Sequence, residues 1–308
     1  MTRNAQGSAS PRLFDLLRRD RTATVAAVVL CTIVVIAFVA PPFLGTLATD
    51  QDLYNAELPP FTLANGWEFM LGSDTLGRSV LARLIVATQS SLMIAVPAIT
   101  ISLVIGGLLG LVAGYRGGWF ESAVMRFADI VLSFPSLVVA VFVLYVFSPT
   151  IGTLVLILAL TRLPVYIRTA RSAAAARKSR TSVDAARSFG LPAWRVVVNH
   201  LLPSALPTMM TLAAVELCTV MLAESALSFL GIGLQPPDVS LGLMVSQGRE
   251  ELRTAWWLTV FPGAVIVLIT VSANLLANWL RLATDPGQRW RLTIPRRSRA
   301  TTSPGASS

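Results

Sequence analysis

The chain has 308 residues, of which 54% are hydrophobic and only 13% charged, and its formal net charge is +9. A water-soluble domain of this length needs more charged surface, so the composition predicts a protein whose solvent is the lipid bilayer. The arginines lie at the ends of apolar runs and form no basic stripe interleaved with aromatics. This distribution argues against a nucleic-acid partner and leaves membrane lipid as the expected surroundings.

The sequence offers little for catalysis or metal binding. It contains one histidine, which argues against a His-based metal site and against a Ser-His-Asp triad. Cys31 and Cys218 each lie inside an apolar run, where a thiol behaves as a small hydrophobic group. We therefore predict no catalytic residue and no metal site in this chain.

Six apolar runs are long enough to cross a bilayer core of about 30 Å, which takes roughly 20 helical residues. The predicted spans are residues 23–43, 88–114, 122–147, 150–169, 202–230 and 257–281. Arg162 and Pro164 interrupt the fourth run, and its helix is expected to continue beyond the membrane towards Arg180. The first run is too long for a cleaved signal peptide and is predicted to stay as an anchor. The predicted fold class is an all-α polytopic membrane protein with six transmembrane helices.

The basic residues also predict the orientation and the domain boundaries. Arginines concentrate in the segments before the first run, between the fourth and fifth runs, and after the sixth run. Because lysine and arginine are retained on the cytoplasmic side, both termini are predicted to lie inside. The predicted divisions are a cytoplasmic tail at 1–22, a first helix with its extracytoplasmic loop at 23–87, a core of five helices at 88–285, and a cytoplasmic tail at 286–308.

The longest inner connection contains the signals of one short helix, residues 181–190. Thr181 caps its start, and Asp184, three residues on, completes a capping box and favours the positive end of the helix dipole. Gly190 suits the left-handed position after the helix, and Pro192 cannot continue it.

A helix of about two turns is too short to be stable alone in water, so it must pack against something. Val183, Ala186 and Phe189 recur at three-residue spacing and form its packing face. Two partners remain open on periodicity alone. The helix packs either into a groove on another protein or against the ends of its own transmembrane neighbours.

The same connection resembles the EAA signature of bacterial ATP-binding-cassette (ABC) importer permeases. The resemblance rests on Asp184-Ala185-Ala186, on Gly190 after three intervening residues, and on the run from His200 through Leu202 to Pro203. Asp184 stands where that family usually has glutamate, so this acid reaches less far towards a basic partner group. The resemblance implies that residues 181–190 form a coupling helix that docks in a groove of an ATPase subunit.

Further motifs extend the resemblance to the C-type permease of dipeptide and oligopeptide importers, from about Thr24 to Pro286. They are Leu71–Arg78, Gly114–Gly118, Ser133–Pro135, Ala223–Gly231, Gln235–Pro237 and Gly248–Arg249. The resemblance implies a type I ABC importer permease fold and a heterodimer with a sister B-type permease. It also implies two ATPase subunits and an extracytoplasmic substrate-binding protein.

The resemblance predicts peptides as cargo, with nickel or haem as alternatives, since related permeases serve all three. The sequence lacks a GxxxxGK[ST] phosphate loop, so ATP and Mg are expected on partner subunits and no cofactor is expected in this chain. A self-contained secondary transporter or channel is the alternative from another class. It would need its own coupling-ion site or pore ring, and the spans offer few acids to build one.

Two acids and one outer loop complete the candidate residues. Glu216 and Glu224 lie inside the fifth run, where an ionisable group usually faces a polar cavity or a partner. We hypothesise that they border the translocation path; the alternative is a protonated or paired glutamate at a subunit interface. In the following outer loop, docking of the binding protein is predicted at Gln235, Pro236, Pro237 and Arg249.

Two smaller predictions concern charged and aromatic pairs. Arg126 and Asp129 are three residues apart and are expected to pair on one helix face. Trp256-Trp257 is expected to anchor the end of the outer loop at the headgroup level.

Overall fold

The computed structural model describes residues 17–18, 20–62, 65–178 and 192–284, and within these ranges it contains helices and no β-strand. Most of the predicted tail at 1–22, all of the tail at 286–308 and the predicted coupling helix at 181–190 lie outside the described residues.

The described chain folds into long apolar helices joined by shorter ones. The helices are α1 Arg21–Val39, α2 Pro41–Thr49, α3 Val80–Arg116, α4 Gly118–Ser133, α5 Ser136–Val146, α6 Ile151–Lys178, α7 Ala193–Phe229, α8 Leu241–Gly248 and α9 Trp257–Thr284. Five of them (α1, α3, α6, α7 and α9) are each long and apolar enough to cross a membrane. The bent pair α4–α5 makes a sixth span if it is counted as one. The predicted all-α architecture is confirmed.

The first two spans differ from the prediction at their outer ends. The first helix ends at Val39 because Pro41 and Pro42 start a separate helix, α2, where their missing N–H groups cost nothing. The second, α3, begins at Val80 and not at residue 88. The Ser79 hydroxyl caps it by accepting from the Ala82 amide at 3.2 Å.

The third predicted span is not one straight helix. It consists of α4 and α5, whose axes differ by 84°. The break follows from Pro135, which disfavours helical geometry at the preceding residue; Phe134 accordingly takes the extended values φ −99° and ψ 138°. Residues 122–147 are therefore better described as a broken span or a re-entrant segment.

The fourth and sixth spans follow the sequence closely, and the fifth differs at its start. Helix α6 continues to Lys178, which confirms that the fourth span extends beyond its apolar run. The fifth span begins early, at Ala193, with a π turn at Val197–Leu201 directly before Leu202 and Pro203. Pro203 has no N–H with which to continue the regular hydrogen-bond ladder, and this accounts for the local π turn.

The core lies between α3, α6, α7 and α9. Its largest buried side chains include Leu92, Leu158, Tyr166, Met209 and Met221. Helix α1 lies at the edge of this core, to which it contributes Ala37, and only 17% of its most apolar stretch is buried within the chain. It packs mainly on α9, where a small separate cluster joins Ala23 to Trp279 and Ala283.

Charged side chains attach α4 to α6. The Asp129 carboxylate accepts from the Arg168 guanidinium at 2.5 Å, and Glu121 pairs with Arg171 in the same way. The predicted pair between Arg126 and Asp129 is therefore wrong. The acid finds its partner across the helix interface because that face of α4 packs on α6.

Candidate functional site

The predicted coupling site is only partly described. Its residues Thr181, Val183, Asp184, Ala185, Ala186, Phe189 and Gly190 lie outside the described residues, so their role stays a prediction. The described part places the ends of α6 and α7 on either side of this connection, at Lys178 and Pro192. A force applied to residues 179–191 is therefore applied to two helices of the core.

The C-terminal flank of this connection presents an aromatic surface. Pro192 is exposed at the start of α7, and Trp194 next to it is 61% exposed, with the Arg195 guanidinium 5.3 Å from the centre of its ring. Arginine over a tryptophan face is a favourable arrangement that also keeps the ring accessible to a partner. Sequence reasoning missed this pair, although the adjacent Trp and Arg after Pro192 were a visible signal.

The other predicted residues of the flank lie deeper. His200, in the π turn, is partly buried, and its Nδ1 atom has no hydrogen-bond partner among the described residues. Leu202 is half-buried and Pro203 is exposed. The structure thus places the family-like His200–Pro203 run at the distortion of α7, where the helix leaves its regular geometry.

Glu216 lies inside the chain and not on its surface. It is 8% exposed on α7 and faces α6, where the Nε atom of Arg162 lies 3.8 Å from its Oε2 atom. Among the described residues neither atom has a hydrogen-bond partner, and the Tyr166 hydroxyl, one turn along α6, is likewise buried without one. The pairing partner of this glutamate is in its own chain, and its place on a translocation path stays a prediction.

Glu224 lies on a different face of α7, because eight residues at 3.6 residues per turn rotate the side chain by about 80° from Glu216. It is fully buried, and serine hydroxyls surround its carboxyl group. Ser91 of α3 donates to Oε2 at 3.1 Å, and Ser228 of α7 donates to Oε1 at 2.9 Å. Ser228, four residues after Glu224, was visible in the sequence; Ser91, 133 residues away, carried no such signal.

The outer loop, residues 231–256, carries the predicted docking residues on its surface. Gln235, Pro236, Pro237 and Arg249 are all exposed. The Gln235 amide donates to the carbonyl of Gly231 at 2.8 Å, and the Arg249 guanidinium lies 5.4 Å from the centre of the Phe229 ring. These contacts leave the surface accessible, which docking requires, and the docking role itself stays a prediction.

The tryptophans that end this loop have separate environments. Trp256 is about half exposed, whereas Trp257 is buried and donates from Nε1 to the carbonyl of Ser73 at 3.1 Å. The placement of the two rings at the headgroup level stays a prediction; the buried contact is made by Trp257. Its indole ties the start of α9 to the segment before α3.

A cavity of about 310 Å³ opens beside the outer loop. Asp74, Arg78 and Arg83 line one wall, and residues of α8 with Glu250 and Glu251 line the other. Asp74 accepts from the Arg78 backbone amide at 2.8 Å and pairs with both arginines. Among the residues that the structure describes, no three His, Cys, Asp or Glu side chains come together as a metal site.

Comparison with known proteins gives concordant matches. Residues 106–290 match the family model described as "Binding-protein-dependent transport system inner membrane component". The chain is 33% identical to the probable D,D-dipeptide transport system permease protein DdpC of Escherichia coli K12, over 85% of this chain and 87% of that protein. It is 35% identical to the oligopeptide transport system permease protein OppC of Mycobacterium tuberculosis H37Rv, over 88% and 92% of the two chains.

A solved structure shares the fold. A chain of the inward-facing MetNI methionine ABC transporter superposes with a TM-score of 0.55 at 19% identity, covering 67% of this chain and 98% of that chain. At this identity the likeness concerns the architecture alone.

Proposed function

Because the chain belongs to the family of binding-protein-dependent transport system inner membrane components, we propose that it forms half of the translocation pathway of an ABC importer for peptides. It is a multi-pass inner-membrane protein. In support of the cargo, relatives that match 85–88% of the chain are named for transport of D,D-dipeptides and oligopeptides.

The observation that carries the mechanism is the placement of the inner connection. It joins α6 to α7, and both helices contribute fully buried side chains to the core, such as Leu158 and Tyr166 from α6 and Met209 and Met221 from α7. A partner that moves residues 181–190 would therefore displace core helices and not a peripheral one. This is the mechanical connection that an importer driven by a separate ATPase needs.

The remaining parts of the importer are proposed as separate subunits. A sister B-type permease supplies the other half of the path, and two ATPase subunits bind ATP and Mg beneath the inner connection. A binding protein delivers cargo to the outer loop, and both termini of this chain lie in the cytoplasm. Closure of the ATPases on ATP moves the coupling helices and opens the path outward, which is alternating access.

The first experiment is purification followed by reconstitution. The tagged chain should co-purify with an ATPase and a second permease, and the complex in liposomes should take up a labelled dipeptide only with ATP and its binding protein. Uptake of nickel or haem in place of the dipeptide would identify that compound as the cargo. Uptake by the isolated chain without ATP would support a self-contained transporter and overturn the proposal.

The second experiment tests the coupling helix. Replacement of Gly190 by tryptophan adds bulk at the predicted left-handed position after that helix, where only glycine avoids strain. We expect the variant to reach the membrane in normal amount while ATP-driven uptake falls at least about tenfold, which corresponds to a loss of roughly 1.4 kcal/mol in coupling. Gly263→Trp is the control, because Gly263 has open space around it in α9; unchanged uptake in Gly190→Trp would remove the coupling role.

A further inference from the structure

The outer loop contains a short helix, α8, that is buried across three long ones. Its residues Leu241, Gly242, Leu243 and Met244 are all buried, and it packs on α7, α9 and α3. Eight residues are too few for a helix to be stable by itself. The position of α8 is therefore set by what holds its two ends.

The first end is held by the carboxyl group of Glu224. Ser91 on α3 donates to Glu224 Oε2 at 3.1 Å, and the same hydroxyl accepts from the Leu241 amide at 3.3 Å, which is the first amide of α8. One serine therefore joins α3, α7 and the start of α8. Replacing it with a group that cannot both donate and accept would break two contacts at once.

The cap of α8 completes this arrangement. The Ser240 hydroxyl accepts from the Leu243 amide at 3.3 Å and lies close to the Glu224 carboxyl group. Close backbone packing adds to it, because a Cβ atom on Gly242 would lie 2.6 Å from the Cα atom of Ser225 on α7. The start of α8 is thus fixed to α7 by main-chain contact and by the buried carboxyl group.

The other end of α8 is held independently. Arg83 of α3 is buried, pairs with Asp74 and donates from Nη2 to Gln247 Oε1 at 2.8 Å. A Cβ atom on Gly248 would lie 2.6 Å from the carbonyl carbon of Leu258 in α9. The two ends therefore attach α8 to different parts of the bundle, and losing the Glu224 end leaves the second attachment in place.

We propose that Glu224 is a positioning residue that fixes α8, and with it the docking surface of the outer loop, to α3 and α7. This inference rests on the proposed function, because that surface holds Gln235, Pro236, Pro237 and Arg249 as the predicted contacts for the binding protein. Burying a carboxyl group costs free energy, and apolar side chains packed at the same place would stabilise the fold as well or better. Hydroxyl groups from α3, α7 and the α8 cap on one carboxyl group specify a relative position of three elements.

The consequence is a mechanical link across the membrane. Binding of the partner protein to the outer loop acts on α8, and Glu224 passes that force to α3 and α7. Helix α7 begins at the inner connection that the ATPases are proposed to move. Without Glu224 the loop keeps its surface chemistry but loses its fixed register with the helices.

The test compares neighbouring serines of one helix in the complete importer. Ser91→Ala removes the bridge to Leu241 and Glu224. Ser90→Ala is the matched control, because among the described residues the Ser90 hydroxyl bonds only the Val86 carbonyl of its own helix. Glu224→Gln is the third variant, similar in size but carrying an amide. The reconstituted complex is titrated with the dipeptide-loaded binding protein that supports wild-type uptake, and ATPase activity is measured.

The expected result separates positioning from stability. For Ser91→Ala and Glu224→Gln, the concentration of loaded binding protein for half-maximal stimulation should rise about five- to tenfold, equivalent to roughly 1–1.4 kcal/mol. In Ser91→Ala the basal ATPase rate and the maximal rate should stay close to wild type. Ser90→Ala should match wild type in all three quantities. An unchanged half-maximal concentration, or a loss of assembled complex with normal titration of the remainder, would overturn the proposal.

Hydrogen exchange of the purified permease gives a readout that does not depend on partners. Amides of α8 should exchange faster in Ser91→Ala and Glu224→Gln than in Ser90→Ala, because local opening becomes easier when one end is released. Equal exchange in all variants would overturn the role of Glu224 and Ser91 in holding α8. If the wild-type chain recruits no ATPase but the variants still differ in exchange, the proposed function and the docking role would be overturned. The role of Glu224 in holding α8 would then stand.

Discussion

Helix α6, which leads into the inner connection, is held in two different ways by its neighbours α3 and α4. Towards α3 the contact is at the level of the backbone, through Gly106, Gly110 and Gly114, which we call the glycine seam. A Cβ atom on Gly106 would lie 2.8 Å from the Leu163 carbonyl oxygen, and one on Gly114 would lie 2.7 Å from the Arg171 carbonyl oxygen. Towards α4 the helix is held by ion pairs at the surface and by a small apolar cluster around Ala128.

The difference indicates which parts move together. Small residues let two helix backbones approach closely. Because the resulting contact is closely packed, one helix cannot slide along the other. Ion pairs between long, half-exposed side chains tolerate small displacements and contribute little to stability. A force applied at the inner end of α6 is therefore passed to α3 as to one body, whereas α4 and α5 can shift against it.

The largest effect is expected from breaking the glycine seam. Gly110→Leu would place its Cβ atom 2.8 Å from that of Ala170 and add three further carbons into the seam. Overpacking of this kind costs about 1–3 kcal/mol and sometimes more, and backbone neighbours that cannot rotate away favour the upper end. We expect most of the folded chain to be lost, measured by size-exclusion chromatography and by thermal unfolding of the detergent-solubilised protein.

The control for the seam is Gly263→Leu in α9, where an added Cβ atom would meet no side chain and no other helix within 4 Å among the described residues. This variant should keep the wild-type elution profile and nearly the wild-type unfolding midpoint. Equal losses in Gly110→Leu and Gly263→Leu would mean that glycine itself, and not the approach of α3 to α6, is what the bundle needs.

The second effect concerns the contact of α6 with α7 and is smaller. Glu216→Gln removes the charge opposite Arg162, whose Nε atom already lacks a hydrogen bond. Leaving a buried polar group without its partner costs about 1–3 kcal/mol. We expect a lower unfolding midpoint and reduced peptide uptake, measured in the same reconstituted complex.

A double variant separates the two roles of Glu216. Arg162→Met with Glu216→Leu replaces the buried pair by apolar groups, which is often neutral or stabilising. If the glutamate borders the path, stability should recover while uptake stays low. Recovery of both would show that the pair is structural only and would remove the path hypothesis.

The sequence predicted what depends on local chemistry and apolar length. The positions of α6 and α9 follow from apolar runs between charged boundaries, and the break before Ser136 has its cause in Pro135. The bend itself was missed, because the apolar run continues across the proline and hydropathy carries no information about direction. An apolar run gives no sign of the early start of α3, because the charged Arg83 precedes the run, whereas inside the fold Arg83 pairs with Asp74.

In the candidate site too, the sequence predicts local helix geometry but not the partners on other helices. The eight-residue spacing of Glu216 and Glu224 predicts different faces of one helix. The structure agrees, since Glu216 faces Arg162 on α6 and Glu224 faces Ser91 on α3. Their partners lie 54 and 133 residues away, beyond the reach of any helical period. Pairing across helices depends on which faces meet, and that is fixed only when the bundle assembles.

A smaller effect is expected from the ion pairs that join α4 to α6. The side chains of Arg168 and Asp129 are 48% and 55% exposed, so water and salt screen their attraction. Asp129→Asn should therefore lower the free energy of unfolding by less than about 1 kcal/mol. Unfolding midpoints at low and high salt check this, since raising the salt should bring the wild type towards the variant and leave the variant unchanged.

The smallest effect is expected on the exposed face of α5, where two neighbouring residues provide their own control. Tyr145 is 89% exposed and Leu144 is 4% exposed. Tyr145→Ser should change the free energy of unfolding of the chain by no more than about 0.5 kcal/mol, as for most surface substitutions. Leu144→Ser should cost several times more, because it removes a buried side chain and buries a hydroxyl group. Similar losses in both variants would mean that α5 packs inside the chain on both faces, and α4–α5 would then be as firmly held as the seam.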